Sequence, residues 1–351
     1  MVLSNMELEA NESANVIENI LQNSTAPFHE IRQHFQNIPL NFIATIARGS
    51  SDHAALFAKY AFENYLGIFT SSVAPSIHTI YKININYKNA IILGISQSGK
   101  SHDLIESMKY ARRNGAVTVS FVNESDSPLA EQSEYNIPLL AGKETAIAAT
   151  KSFIASISRI IQFVSFFNSN FSTLNNELLA VANRIKEIQN VEENYPFHNF
   201  DKEKSILILG RGFTFPIAME AALKIKETCG IHAEAFSAAE VLHGPFELVQ
   251  KEFPVILFLN NDETLQNMLN LIETLKTKQA KLYIFTTTEI YQQHKKILEN
   301  IPINNIGNSY TALLNNILFI YKFYKFSASF SRYLGRNPDT PDNLNKVTKT
   351  L

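Results

Sequence analysis

The chain has 351 residues, 45% of them hydrophobic, which suits two domains of ordinary size and a core that needs no disulfide or metal staple. Lys+Arg number 31 and Asp+Glu 33, a net charge of -2, and that near balance argues against a dedicated nucleic-acid binder, which carries a basic surplus, while leaving room for a small anion met by a local positive field. The one cysteine, Cys229, excludes an internal disulfide or a thiolate zinc site; no run approaches the ~20 apolar residues of a membrane span; and the first turns carry Glu7, Glu9, Glu12 and Glu18 without a base, so a soluble cytoplasmic protein with no metal is the expectation.

In chain order, Asn41–Ile46 reads as a strand and Asp52–Tyr65 as a helix. Ala90–Ile95 is a strand, Ser101–Asn114 a helix, and Val117–Val122 and Asn136–Leu140 are further strands. Ala146–Phe167 and Leu174–Asn190 read as two long helices. The alternation then resumes through Ser205–Leu209, Pro216–Cys229, Pro254–Leu259, Thr264–Lys278 and Leu282–Thr287, and Tyr310–Ser331 is a last helix. Short apolar runs alternating with amphipathic stretches predict α/β architecture, with parallel sheets covered by helices on both faces.

The chain also repeats itself. With Arg48 laid on Arg211, an offset of 163 residues, Ala55 falls on Ala218, Ala58 on Ala221, Gly67 on Gly230 and Ile68 on Ile231. A turn glycine, small residues on one helix face and a C-cap glycine describe one α/β unit used twice. The expected division is a helical segment at 1–30, one unit at 31–191, a linker at 192–203, a second unit at 204–333 and an extended tail at 334–351.

Between a strand and a helix stands Gly94-Ile95-Ser96-Gln97-Ser98-Gly99-Lys100-Ser101, formally the P-loop pattern of nucleotide hydrolases. That reading needs a strand ending in Asp for magnesium, and Val117–Val122 runs into Asn123 while Leu257–Leu259 runs into Asn260-Asn261-Asp262. A helix N-terminus offers free N–H groups and about half a positive charge. Ser96, Ser98 and Ser101 add hydroxyls and Gln97 an amide, a donor set suited to a phosphate monoester. Gly49-Ser50-Ser51 opens another helix and suits sugar hydroxyls. One such serine alone is better read as a helix cap; the cluster is read as a ligand site. Gly210-Arg211-Gly212-Phe213 lacks the third glycine of a dinucleotide fingerprint.

Glu220, Lys224 and Glu227 share one helical stripe. Alone, the stripe reads as a solvated salt-bridge ladder. It leads, however, into His232-Ala233-Glu234-Ala235-Phe236, read as a turn, and then His243-Gly244-Pro245, where His243 is either a proton shuttle or a capping residue.

Arg48-Gly49-Ser50-Ser51-Asp52-His53-Ala54, Ile95–Gly99, Ala148-Ala149-Thr150-Lys151-Ser152, Leu223–Glu227, His232–Phe236, Leu242–Pro245 and the tail Asp342–Lys346 occur in this order, and the chain resembles the sugar isomerase (SIS) family. It is most similar to the isomerase half of glucosamine-6-phosphate synthases and to SIS-type glucosamine-6-phosphate deaminases. The resemblance implies two tandem SIS domains, each a flavodoxin-like three-layer sandwich, in a homodimer with composite sites. It implies that Ser96, Gln97, Ser98 and Ser101 hold the phosphate and that Gly49, Ser50 and Ser51 contact the sugar. Glu227 then moves the C1–C2 proton, with Glu220 and Lys224 beside it. His243, donated by the neighbouring subunit, opens the ring, and Lys346 reaches the open-chain sugar. The segment with Ala148 and Ala149 also lies at the substrate, though Ala149 stands where the synthases commonly have Ser. No metal or organic cofactor is called for. The synthases place a glutaminase domain with a catalytic cysteine ahead of this unit; here a short helical segment precedes the first strand and Cys229 is internal, so ammonia release is the expected direction.

Overall fold

Short runs rich in Ile, Val, Leu and Ala form the strands, and every ladder between them is parallel. The structure is a computed structural model and describes residues 3–169, 173–201, 205–344 and 346. The elements run α1 (Asn5–Asn11), α2 (Ser13–Gln22), α3 (Ala26–His34), β1 (Phe42–Ile46), α4 (Ser50–Leu66), β2 (Thr70–Ser72), α5 (Pro75–Thr79), β3 (Ala90–Ser96), α6 (His102–Arg113), β4 (Val117–Val122), α7 (Pro128–Gln132), β5 (Tyr135–Pro138), α8 (Lys151–Phe167) and α9 (Leu174–Ile188). They continue with β6 (Ser205–Gly210), α10 (Thr214–Lys224), β7 (His232–Ser237), α11 (Ala238–Val241), β8 (Pro254–Phe258), α12 (Leu265–Thr277), β9 (Lys281–Thr286), α13 (Thr288–Gln293), α14 (Lys295–Leu298), β10 (Ile303–Asn305) and α15 (Ala312–Tyr333).

Two units result. The described residues of Glu12–Glu144 and Lys151–Ala182, with Lys346, make the first; those of 3–11, Thr145–Thr150 and Asn183–Leu344 make the second. The first sheet has the order β2-β1-β3-β4-β5 and the second, read in the same sense, β7-β6-β8-β9-β10. Both units therefore use the first strand as a pivot, step one way to the second strand and return past the pivot to the third. The repeat aligns β1 with β6 and α4 with α10. The two matched helical segments end on left-handed glycines, Gly67 at φ 67° and Gly230 at φ 65°, a backbone that L side chains resist.

In the first unit α4 packs on α8, whose residues Lys151–Ser165 are all buried, so the helix is covered all round. In the second, α15 is buried along most of its 22 residues and packs against α1 and α10. The segment 192–201 also packs here: Phe197 stacks on Phe330 at 5.4 Å and Glu193 pairs with Lys322 at 2.9 Å. Among the described residues no helix is long and apolar enough to cross a membrane.

Three expectations are corrected. The helix expected at Ala146–Phe167 begins only at Lys151. The Glu9 carboxylate takes the Ala146 N–H at 3.2 Å and the Asp339 carbonyl takes the Ile147 N–H at 3.1 Å, so the approach is drawn out of helical geometry. His232–Phe236 is not a turn but lies in strand β7, paired with β6 from Ser205↔His232 to Gly210↔Ser237. The helix expected at Pro216–Cys229 runs as α from Thr214 to Lys224 and then widens into a π-turn at Ile225–Cys229. The three-residue strands β2 and β10, too short to carry an alternation, went unpredicted.

Candidate active site

In an open parallel sheet, ligands settle beyond the strand C-termini where the strand order reverses. In the first unit that point lies between β1 and β3. β1 leads to the Gly49–Ser51 turn and β3 to the Ser96–Ser101 loop, so the two donor-rich turns follow neighbouring strands. Ser96 is buried and its Oγ accepts the Gly99 N–H at 3.0 Å; the Ser98 Oγ accepts the Lys100 N–H at 3.3 Å. Gly99 sits at φ 62°, and a Cβ there would lie 2.0 Å from the Ser127 Oγ. Ser101 is the N-cap residue of α6, but its side chain makes no cap bond, so the helix-cap reading does not use up this hydroxyl. Gln97 is half-buried and Lys100 is exposed. Asn123, where a P-loop protein needs an acid, is spent on the backbone: its Nδ2 donates to the Gly142 carbonyl and its Oδ1 accepts the Ala141 N–H, both at 2.8 Å.

Two ion pairs were missed by sequence reasoning, and the first supports these turns. Arg48 donates to Asp103 from Nε at 3.0 Å and from a terminal nitrogen at 2.7 Å, joining the residue before the Gly49 turn to the first turn of α6. Lys346 donates to Glu144 at 3.0 Å, and Glu144 also accepts the Ser152 hydroxyl at 2.8 Å and the Ser152 N–H at 3.2 Å. The tail lysine thus has a buried counter-ion.

In the second unit the charged stripe is not solvated. Glu220 and Lys224 are fully buried, and Glu227 keeps 20% of its side-chain exposure. The Lys224 ammonium lies 3.4 Å from Glu220 and also donates to Glu227, while the Tyr324 hydroxyl donates to Glu220 at 3.2 Å. Glu227 sits in the π-turn, a geometry concentrated at functional sites. Side chains anchor that turn to α15: Thr228 shares a 2.9 Å hydroxyl contact with Ser327, and the Ser331 hydroxyl donates to the Thr228 carbonyl at 2.7 Å. The Lys224 ammonium thus lies between two carboxylates. The Cys229 thiol just beyond is pushed up to about 12 by burial, which removes it from nucleophilic chemistry.

His243 is exposed in the turn between α11 and a short 3-10 segment, Pro245–Leu248, flanked by Leu242 and Leu248, each 54% exposed. Ala148 is buried and Ala149 half-buried, both in the extended approach to α8. The expected site residues therefore fall into two sets. Gly49, Ser50, Ser51, Ser96, Gln97, Ser98, Ser101 and Lys346 belong to the first unit; Ala148, Ala149, Glu220, Lys224, Glu227 and His243 belong to the second. Among the described residues no group of three or more His, Cys, Asp or Glu side chains is arranged to hold a metal ion.

The SIS domain family model matches residues 41–165 and 199–321. The chain belongs to the SIS domain family. It is 33% identical over 309 residues to a glutamine–fructose-6-phosphate aminotransferase of Sulfolobus acidocaldarius, a match that takes in 87% of this chain and 49% of that one. SIS membership thus places the chain among relatives about twice its length: it spans about half of the curated proteins it matches. Two solved structures share the fold. The C-terminal domain of glucosamine-fructose-6-phosphate aminotransferase from Francisella tularensis superposes with a TM-score of 0.84 at 24% identity, covering 97% of this chain and 99% of that chain. Glucosamine-6-phosphate deaminase from Thermotoga maritima gives 0.72 at 19%, covering 99% and 100%.

Proposed function

We propose that this SIS protein hydrolyses glucosamine 6-phosphate to fructose 6-phosphate and ammonia. The observation that carries the reading is the Glu220–Lys224–Glu227 cluster, in which two members are sealed and only Glu227 reaches solvent. A base held in that way, on a π-turn, suits a proton shuttle between adjacent carbons.

In the proposed cycle the Ser96–Ser101 loop takes the phosphate at the N-terminus of α6, and the Gly49–Ser51 turn and the Ala148–Ala149 backbone meet the sugar. His243 assists ring opening. Glu227 removes the proton from C2 of the open-chain amino aldose, giving an enolamine, and returns it to C1, giving an imine at C2. Water adds to C2 and ammonia leaves, so the atoms of one water are consumed for each ammonia released. Lys346, held by Glu144 in the free protein, turns to the open-chain sugar. Glu220 and Lys224 position Glu227.

The curated relatives favour a second reading, because those proteins are named aminotransferases. The same proton transfer would then serve amino-sugar synthesis with ammonia supplied from elsewhere. A coupled ammonia-release assay over glucosamine 6-phosphate, galactosamine 6-phosphate and a fructosamine phosphate separates these. Release from glucosamine 6-phosphate supports the proposal; release from another aminosugar alone moves the substrate; sugar-phosphate binding without turnover of any of them points to a phosphosugar sensor.

A further inference from the structure

A cleft of about 350 Å³ lies between α5 and α6, within the first unit, and no step of the proposed reaction uses it. Its walls carry Lys82, His102, Lys109 and Arg113 against one acid, Glu106. Lys109 donates to Glu106 at 2.9 Å, and that bond, with the charges of His102 and Arg113, holds the Glu106 carboxyl below its ordinary value. The acid is thus already compensated. Among the described residues neither Lys82 nor Arg113 has an ion-pair partner. The cleft keeps a positive surplus.

A buried group supplies the second observation. His78 lines the same cleft yet is only 5% exposed, stacked on Tyr110 with ring centroids 4.6 Å apart. Its Nε2 lies 2.8 Å from the hydroxyl of Tyr87, which is itself 1% exposed. Burial pushes the Tyr87 phenol up to about 12, so the hydroxyl keeps its proton. The ring's other nitrogen, Nδ1, is buried without a hydrogen-bond partner. A buried imidazole nitrogen with no partner is a cost that folded proteins rarely carry. Lysine and arginine side chains lining one concavity beside that unpartnered imidazole match the charge and the acceptor oxygens of a phosphate group.

We propose that the α5–α6 cleft binds a small phosphate-bearing dianion, as a site separate from the Ser96–Ser101 loop. The experiment is calorimetric titration of the full chain with inorganic phosphate and, separately, with glucose 6-phosphate. It uses wild type, a cleft variant carrying Lys82→Gln and Arg113→Gln, and a loop variant, Ser98→Ala. Both cleft substitutions lie on exposed side chains, and circular dichroism confirms that the variant is folded. The expected result is two phosphate sites in wild type, with the cleft variant weakening one of them at least tenfold while the loop variant weakens the other. Competition for the cleft by glucose 6-phosphate identifies an esterified phosphate as the natural source; its failure to compete identifies the free ion. A phosphate isotherm left unchanged by the cleft variant overturns the proposal, whatever the loop variant does. Loss of loop binding alone bears instead on the sugar-phosphate reading.

Discussion

Lys224 is fully buried, and its ammonium meets the carboxylates of Glu220 and Glu227. That arrangement makes Glu227→Gln an informative change: the amide keeps the shape and a hydrogen-bond acceptor but cannot take a proton. Steady-state kinetics should show kcat down by about 100-fold or more with KM little changed, the range typical of losing a general base. Near-normal turnover would return the cluster to a purely structural role. In the phosphate loop the contrast is between neighbours. Ser98→Ala should raise KM severalfold, since a lost hydrogen bond to a charged group costs about 1.5–3 kcal/mol. Lys100→Ala, on an exposed side chain outside the donor set, should leave most activity. Magnesium-dependent ATP binding lost in Lys100→Ala would instead favour the nucleotide reading of the loop.

At the scale of an element, the loop's shape depends on Gly99. A side chain there adopts the left-handed region at about 1–3 kcal/mol, and its Cβ would meet the Ser127 hydroxyl and the Val122 side chain. Gly99→Ala should therefore lower both the melting temperature and the affinity for sugar phosphate, with the affinity loss exceeding that of Ser98→Ala; equal affinity to wild type would show that the loop is not the phosphate site. Helix α1 offers a pH test. Asp339 accepts the Asn5 and Met6 N–H groups at 2.9 and 2.8 Å, capping α1 from the far end of the chain, and Glu7 pairs with Arg332. Burial alone would push the Glu7 carboxyl up, but the Arg332 and Ser4 hydrogen bonds and the guanidinium charge outweigh it and hold the group below its ordinary value. A carboxyl depressed on folding stabilises above its unfolded pKa of about 4.3 and loses that contribution as pH falls through the folded value. Thermal melts in the acid range should show this loss, and Glu7→Gln should flatten it.

At the scale of the whole molecule, His243 is exposed on a turn between two exposed leucines, which accords with a side chain offered to another subunit. If each site combines Glu227 of one subunit with His243 of its partner, Glu227→Gln and His243→Ala should each be nearly inactive as homodimers. A mixed dimer then holds one site with both lesions and one with neither. Random exchange makes about half the dimers mixed, each with one intact site, so about one quarter of wild-type activity should return if the sites are independent. Subunit exchange shown by mass or fluorescence, with no activity regained, would place His243 outside a shared site.

The sequence by itself determined what depends on near neighbours. Periodicity located most of the strands and helices, the repeat of Gly67 as Gly230 located two helix ends, and the Ser96–Ser101 cluster stood out as hydroxyl and amide groups gathered at a helix start, because each is a property of a few consecutive residues. It also showed that Glu220, Lys224 and Glu227 share a face. Helical spacing says which residues face together but not what covers them, so only the packing of α10 against α15 showed that the stripe is buried. The π-turn was likewise invisible, since the hydrogen bonds that anchor it come from Ser327 and Ser331 on a helix about a hundred residues away. Arg48–Asp103 and Glu144–Lys346 join residues 55 and 202 positions apart, and no local pattern encodes such partners. Strand β7 escaped notice for the same reason: its small and charged residues become a strand through the ladder it forms with β6.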